Sequence, residues 1–248
     1  MTAYLADVLR AEGCRVVEQA GWQSRGRPGS YAPFGVLNHH TATASASYAN
    51  PNPTLNLCIN GRSDLPGPLC QVMIGYDGTC FIIAAGRANH AGQARNTPPI
   101  PAGDGNAMLV GFEWDYSGTA PPSPEQYQAA ILANAAVLRR MARDSSYSKG
   151  HLETSVEGKI DPYGVDLNRF RSEVAARIKG GPTSGDDDLP LNDADKKWIT
   201  DTVNNALRQQ FAPSGECYTR VKQAGNETVT ANATNFTRYA KDGATQAK

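Results

Sequence analysis

A hairpin pattern near the centre of the chain places the strongest constraint on the fold. Residues 70–74 and 79–83 are rich in β-branched and aromatic residues, and Asp-Gly lies in the turn between them. Strands that alternate with helices favour parallel pairing, and the hairpin adds antiparallel pairing. The sequence therefore predicts an α/β fold with a mixed central β-sheet flanked by helices. The other runs with a strand or helix pattern are 15–18, 34–38 and 108–114 for strands, and 3–12, 55–59, 124–141 and 166–179 for helices.

A change of composition after residue 179 divides the chain. Residues 180–190 are rich in Gly, Pro, Ser and Asp, which predicts a linker after a domain formed by residues 1–179. Residues 191–248 are predicted to form a C-terminal helical appendage. Its helix, at 192–211, carries one apolar stripe, so we expect it to dock on the domain or to self-associate. The tail after this helix has few large apolar residues and is expected to be poorly ordered.

Charge and hydropathy exclude several classes of protein. The chain has 24 Lys and Arg and 24 Asp and Glu, and no basic run points to nucleic acid. No apolar run approaches the roughly 18 residues of a membrane-spanning helix, so we expect no membrane insertion. The N-terminus lacks a basic region followed by an apolar one, so we expect no signal peptide. The five cysteines have no CxxC spacing and are expected to be reduced, with Cys58 and Cys70 as the pair nearest to an exception.

The histidines are few and lie where strands are predicted to end. The chain has four, and the last of them, His151, belongs to a stretch at 150–162 that its glycines and Pro162 predict to be an irregular loop. Asp161 lies in the same stretch. Imidazoles and carboxylates are good zinc ligands, and a catalytic zinc needs three protein ligands with one open position. His151 and Asp161 are therefore metal-ligand candidates, and a third ligand must come from elsewhere in the chain.

Several motifs in chain order resemble those of the zinc-dependent N-acetylmuramoyl-L-alanine amidases, the family that shares its fold with peptidoglycan recognition proteins. The resemblance covers about residues 1–179 and implies a mixed sheet with helices packed on it and zinc in an open groove. The stretches 5–10 and 86–92 are most similar to amidase modules in endolysins of phages that infect actinobacteria. The motifs are Asn-His-His-Thr-Ala-Thr at 38–43, Asn-His-Ala-Gly at 89–92, Gly-Phe-Glu at 111–113, Gly-His at 150–151 and Lys-Ile-Asp-Pro at 159–162.

The resemblance implies a role for five residues. His39, His151 and Asp161 match the zinc ligands of the family. Glu113 matches an acid beside the metal-bound water, and Lys159 matches a cation held near the same site. The same positions also have simpler interpretations. Glu113 could be a structural acid paired with Arg87, Lys159 could be a solvated loop cation, and Asp161 could merely start a turn.

Two further histidines are assigned less directly. Neighbouring residues of a strand point to opposite faces, so only one of His39 and His40 can face the metal. We assign His40 and His90 to substrate binding, or to packing and support of the metal ligands. One departure from the family concerns a catalytic tyrosine that some phage amidases place at the start of the hairpin, where this chain has Cys70. Either Glu113 carries the role of the base or a tyrosine from elsewhere does.

The function that the resemblance implies is that of an endolysin, which hydrolyses peptidoglycan with zinc-activated water at the amide between N-acetylmuramic acid and L-alanine. We expect such a protein to be made in the host cytoplasm and to act on the cell wall after its release. The alternatives are a recognition module that binds peptidoglycan without catalysis, a cytoplasmic muropeptide-recycling amidase, and a virion-associated protein in which residues 190–248 serve assembly. A wall-binding role for the C-terminal helix also stays open.

Overall fold

The computed structural model describes residues 1–181, so the predicted helix at 192–211, the tail and most of the predicted linker lie outside the described residues. None of the helices in residues 1–181 is long and apolar enough to cross a membrane. The strands are β1 (Val16–Glu18), β2 (Gly35–His40), β3 (Val72–Ile74), β4 (Cys80–Ile82), β5 (Gln93–Ala94), β6 (Gly103–Asp104), β7 (Leu109–Trp114) and β8 (Ser148–Gly150). The helices are α1 (Leu5–Ala11), α2 (Leu55–Asn60), α3 (Gly105–Met108), α4 (Pro124–Arg140), α5 (His151–Thr154) and α6 (Leu167–Gly180).

Six of the strands form the central sheet, in the order β1-β4-β3-β7-β2-β8. The predicted hairpin forms the antiparallel pair of β3 and β4, whereas the other neighbours pair in parallel. The predicted mixed sheet is therefore confirmed. The parallel strands β7, β2 and β8 are adjacent, so their carboxyl ends meet at one edge. Ligand sites of open α/β sheets lie at such edges.

Alternation along β2 gives the two faces of the sheet different surroundings. Val36 packs in the main core with α4 and α6, and the Asn38 side chain reaches Asn134 on α4. Leu37 packs in a separate cluster with Ile100 on the opposite face. Because side chains alternate along a strand, His39 follows Leu37 and lies on the face away from the long helices.

The two long helices begin where the sequence predicts. The Ser123 hydroxyl accepts a hydrogen bond from the Gln126 N–H at the start of α4, with Pro124 as the first helical residue. The Asp166 carboxylate caps α6 by accepting from the N–H groups of Asn168 and Arg169. Both helices bury one face against the sheet, and together with α1 they form the layer behind the metal-ligand candidates.

Two local predictions are wrong. The segment 150–162 is not an irregular loop throughout, because His151 begins the one-turn helix α5. The Glu153 carboxylate accepts a hydrogen bond from the Gly150 N–H at 2.9 Å, which closes that turn. The segment 93–106 is rich in Gly, Pro and Asn, which predicts an exposed loop, but its residues Ala94 and Ile100 are buried. Cysteines 14, 58, 70 and 80 are free and buried as expected, with no disulfide between positions 58 and 70, and position 217 lies outside the described residues.

A buried network of carboxamides joins β2 to its neighbours. The Asn38 Nδ2 donates to Asn134 Oδ1 and Ser148 Oγ, both at 3.2 Å, and to the Lys149 carbonyl at 3.1 Å. The Trp114 indole N–H donates to Asn38 Oδ1 at 3.3 Å. One side chain thus connects β2 with β7, β8 and α4, one residue before His39.

We expect Asn134→Leu to lower the free energy of unfolding by about 2–4 kcal/mol, because it removes the acceptor of the buried Ser148 hydroxyl and two of the hydrogen bonds of Asn38. Gln128→Leu, at an exposed position of the same helix, is the matched control and should change stability by about 0.5 kcal/mol or less. Urea unfolding followed by circular dichroism measures both. Equal losses in the two variants would show that the network does not anchor β2.

Candidate active site

Three ligand atoms from different parts of the chain meet at the carboxyl edge of the sheet. His39 Nδ1 lies 3.1 Å from His151 Nδ1 and 3.0 Å from Asp161 Oδ2, and His151 Nδ1 lies 3.1 Å from the same oxygen. All three residues are buried. The register explains the meeting of the histidines, because Asn38 pairs with Gly150 in β2 and β8 and each histidine is the next residue. The structure thus brings together the three residues predicted as metal ligands.

The spacing of these atoms fits a single small cation. Three atoms bound tetrahedrally to one zinc ion at about 2.1 Å would lie about 3.4 Å apart, close to the distances found here. Hydrogens on both Nδ1 atoms would face each other across 3.1 Å, so at least one of the two imidazoles presents its Nδ1 lone pair to the group. Burial lowers the pKa of His39 to about 4, although the hydrogen bond to Asp161 opposes this shift. The donor set consists of two imidazoles and a carboxylate, which is suitable for zinc.

The Asp161 carboxyl group is held in its ionised form. Burial raises the pKa of this group, but the hydrogen bonds with His151 and His39 act in the opposite direction and together prevail, so that its pKa lies far below the usual range. The carboxylate is therefore charged at neutral pH, and this negative charge between two imidazoles favours a cation.

His90 contacts the far side of the His39 ring. Its Nδ1 lies 3.0 Å from His39 Nε2, and the two rings are nearly perpendicular. If His39 binds a cation through Nδ1, its proton is on Nε2 and is donated to His90. The space for the His90 ring exists because residue 111 is glycine, where a Cβ atom would lie 2.6 Å from the ring. The Asn106 carboxamide fixes the backbone here by accepting from the N–H groups of His90 and Ala91.

Glu113 lies on the same face of the sheet as the three ligand atoms. It is the register partner of His39 in the parallel pair of β2 and β7. Its Oε2 is buried and has no hydrogen-bond partner among residues 1–181. Burial raises the pKa of Glu113 well above the usual value, and the nearby Cys58 and Asp161 add to the shift. The alternative that Glu113 is paired with Arg87 is wrong, because Arg87 forms its ion pair with Asp104.

Comparison with known proteins places this arrangement in a family. A family model described as N-acetylmuramoyl-L-alanine amidase matches residues 29–164, more than half of the chain, and this range contains all three ligand candidates and Glu113. The chain belongs to the N-acetylmuramoyl-L-alanine amidase family. The family resemblance inferred from the sequence motifs is therefore confirmed, as is the assignment as an amidase. No curated protein sequence gives a significant match.

Solved structures that are similar to the amidase come from several sources. A selenomethionine derivative of AmpD is 20% identical, covers 64% of this chain and 93% of its own, and has a TM-score of 0.48. The endolysin amidase LysCS from Clostridium intestinale is 16% identical, with coverage of 64% and 94% and a TM-score of 0.45. A variant of Drosophila PGRP-LB in complex with tracheal cytotoxin is 18% identical, with coverage of 64% and 94% and a TM-score of 0.46.

The other predicted site residues of the amidase lie outside the three-atom cluster. The half-buried His40 accepts a hydrogen bond from the Tyr163 N–H at its Nδ1, at 3.0 Å, and packs against Tyr116. It therefore holds the chain just after Asp161. Lys159 is exposed, with its Nζ 3.5 Å from a Glu157 carboxylate oxygen. The substrate-binding role of His40 and the oxyanion role of Lys159 stay predictions.

If Cys70 stands where some phage amidases have a catalytic tyrosine, as the resemblance implies, Glu113 is the main candidate for a base in this amidase. Cys70 is fully buried and packs with Cys58 and Met73. The hydroxyl of the buried Tyr116 donates to the Tyr163 carbonyl at 2.7 Å, so this tyrosine has a structural partner. Sequence reasoning missed Tyr116 and the support that Asn38 and Asn106 give to the histidines. The only signal was that Asn38 adjoins the two histidines.

The unpartnered Glu113 carboxylate should destabilise the folded amidase at neutral pH. Because its pKa is raised, the folded state binds more protons than the unfolded state above the ordinary pKa of a glutamate, so this group makes stability fall as pH rises. We expect Glu113→Gln to raise the free energy of unfolding at pH 7 by on the order of 1 kcal/mol, and by less at pH 4.5. Urea unfolding with EDTA present measures the difference.

The exposed Glu157 offers a matched control for this experiment. Glu157→Gln should change the free energy of unfolding by about 0.5 kcal/mol or less at both pH values. If Glu113→Gln instead lowered stability at pH 7, the Glu113 carboxylate would have a stabilising partner, and its role as an unpaired base would be contradicted.

Proposed function

We propose that this protein is a zinc-dependent endolysin amidase, which hydrolyses the amide between the lactyl group of N-acetylmuramic acid and L-alanine in host peptidoglycan. In this proposal it is made in the host cytoplasm and acts on the cell wall after release. The observation that carries the proposal is the cluster of His39, His151 and Asp161, whose ligand atoms lie 3.0–3.1 Å apart beside the unpaired carboxylate of Glu113. A binding-only module has no need of that combination.

His39 and His151 would hold the zinc ion through Nδ1, and Asp161 through Oδ2. Zinc bound in this way supplies Lewis acidity, which polarises the amide carbonyl and makes a water molecule acidic enough to attack at neutral pH. The single carboxylate leaves the site with a net charge of about +1 when the ion is bound. His90 would accept the Nε2–H of His39 and so hold this imidazole in the tautomer whose Nδ1 can bind a metal ion.

Glu113 would act as the general base and then as the general acid. Its Oε2 takes a proton from the attacking water and delivers it to the amine of L-alanine as the C–N bond breaks. A general base works best when its pKa lies near the working pH, and burial moves the pKa of Glu113 in that direction. Lys159 would contribute positive charge for the oxygen of the tetrahedral intermediate, from its exposed position two residues before Asp161.

Mass analysis of digested peptidoglycan tests this function. We expect the protein to release stem peptides with a free L-alanine amino group from purified sacculi and to leave the glycan chains intact. Asp161→Ala removes one of three ligands and should lower the rate at least about 100-fold. Asp64→Ala, at an exposed aspartate, is the matched control and should leave the rate unchanged.

The products also separate the alternatives. Binding to sacculi without release of peptides would favour a recognition module. Cleavage of soluble muropeptides without cleavage of sacculi would favour a recycling amidase. Unchanged activity of Asp161→Ala, with its fold retained, would contradict the metal-dependent mechanism.

The role of His90 can be tested through metal affinity. His90→Phe keeps a ring of similar size but removes the acceptor for the His39 Nε2–H, so we expect zinc affinity to fall about 10- to 100-fold. His90→Gln offers a carbonyl oxygen as a new acceptor and should recover part of this loss. Competition with a chromophoric chelator measures both affinities. Equal affinities of His90→Phe and the unmodified protein would show that His90 does not orient His39.

A further inference from the structure

Exposed apolar side chains are concentrated beside the metal-ligand candidates. Residues 1–181 contain eight large hydrophobic residues that are exposed, and four of them lie on the short segment that carries His151 and Asp161. We call these four the apolar rim. Exposed apolar residues that occur singly need no explanation, but a group of them beside a catalytic site indicates a binding surface. They are Leu152, Val156, Ile160 and Tyr163, with exposed fractions of 37%, 61%, 63% and 44%.

The backbone under the apolar rim is fixed from within. The Leu152 N–H donates to the Asp161 carbonyl at 2.8 Å, which joins the two ends of the segment. The Arg95 guanidinium donates to the carbonyls of Leu152 and Glu153, at 2.8 and 2.6 Å. Hydrogen bonds therefore hold the backbone at both ends of the segment. The exposed side chains project from a backbone whose position is fixed.

Tyr163 is fixed on the other side of Asp161. Its N–H donates to His40 Nδ1 at 3.0 Å, and its carbonyl accepts from the Tyr116 hydroxyl at 2.7 Å. Ile160 and Tyr163 thus flank Asp161 and Pro162 at set positions.

We propose that the apolar rim binds the nonpolar groups of the muramoyl peptide, namely its lactyl, N-acetyl and alanyl methyl groups and the carbon–hydrogen face of the sugar. This inference rests on the proposed function, since it names surface residues that position the same substrate. The rim provides affinity and selectivity, whereas the cluster and Glu113 provide chemistry. The rim is continuous with the site in sequence and in backbone hydrogen bonding, and this continuity favours the substrate as its occupant.

Single substitutions in the full chain test the proposal. Ile160→Ser and Val156→Ser each remove apolar contact area and should raise KM for a soluble N-acetylmuramoyl dipeptide on the order of fivefold, with kcat within about twofold. The same variants should bind purified sacculi more weakly in a sedimentation assay. Val17→Ser is the matched control, because Val17 is 43% exposed on β1 at the far edge of the sheet. Its KM and sacculus binding should not change.

Further measurements distinguish a failure of the proposed role of the rim from a failure of the proposed function. The zinc content must be the same in all variants. A loss of zinc from Ile160→Ser would mean that the substitution disturbs Asp161, and this result would overturn the role of the rim in substrate binding. Unchanged KM and unchanged sacculus binding would also overturn it. If the unmodified protein binds sacculi but does not cleave them, the proposed function fails. The sedimentation results would then still show whether the apolar rim contributes to the binding of peptidoglycan. A change of sedimentation coefficient in Ile160→Ser would assign the rim to self-association instead.

Discussion

The position of the whole site depends on the buried carboxamide of Asn38. Its donors and acceptor reach a helix and two neighbouring strands, and any slip of β2 by one residue would leave them unpaired in the core. Because His39 is the next residue and His151 follows the strand paired with Asn38, this one side chain sets the distance between the two histidines. A polar group in the core thus determines the geometry of a site on the opposite face.

The two faces of the sheet have different roles: one carries the main hydrophobic core, and the other carries the candidate active site. Behind the sheet, apolar residues of α1, α4 and α6 pack in one continuous core, and the buried Glu12 carboxylate is neutralised by Arg177 and Arg139. In front of it lie two imidazoles, an ionised aspartate and a glutamate whose Oε2 has no hydrogen-bond partner among the described residues. Such a group is unfavourable without a cation. The well-packed rear face can support it, as is common for sites whose residues are arranged for function.

Much of the fold could be predicted because its signals are local. The Asp-Gly turn predicted the hairpin, and the periodic runs at 124–141 and 166–179 predicted both long helices, since each pattern depends on residues only a few positions apart. The ligand set came from motif resemblance, and the structure brings it together. The one-turn helix at His151 was missed although the bond that closes it, between Gly150 and Glu153, is local. For His90 the sequence left substrate binding and support of the metal ligands both open, because its contact with His39 joins segments that are distant in the sequence.

The hydrogen bond between the Leu152 N–H and the Asp161 carbonyl has an evolutionary consequence. It closes a small loop whose ends hold two ligands in place, while residues 155–160 between them are largely exposed. Substitutions at the exposed positions of that stretch other than Lys159 can therefore accumulate without moving His151 or Asp161. A lineage with this architecture can vary the surface beside its site while the positions of the two ligands stay the same.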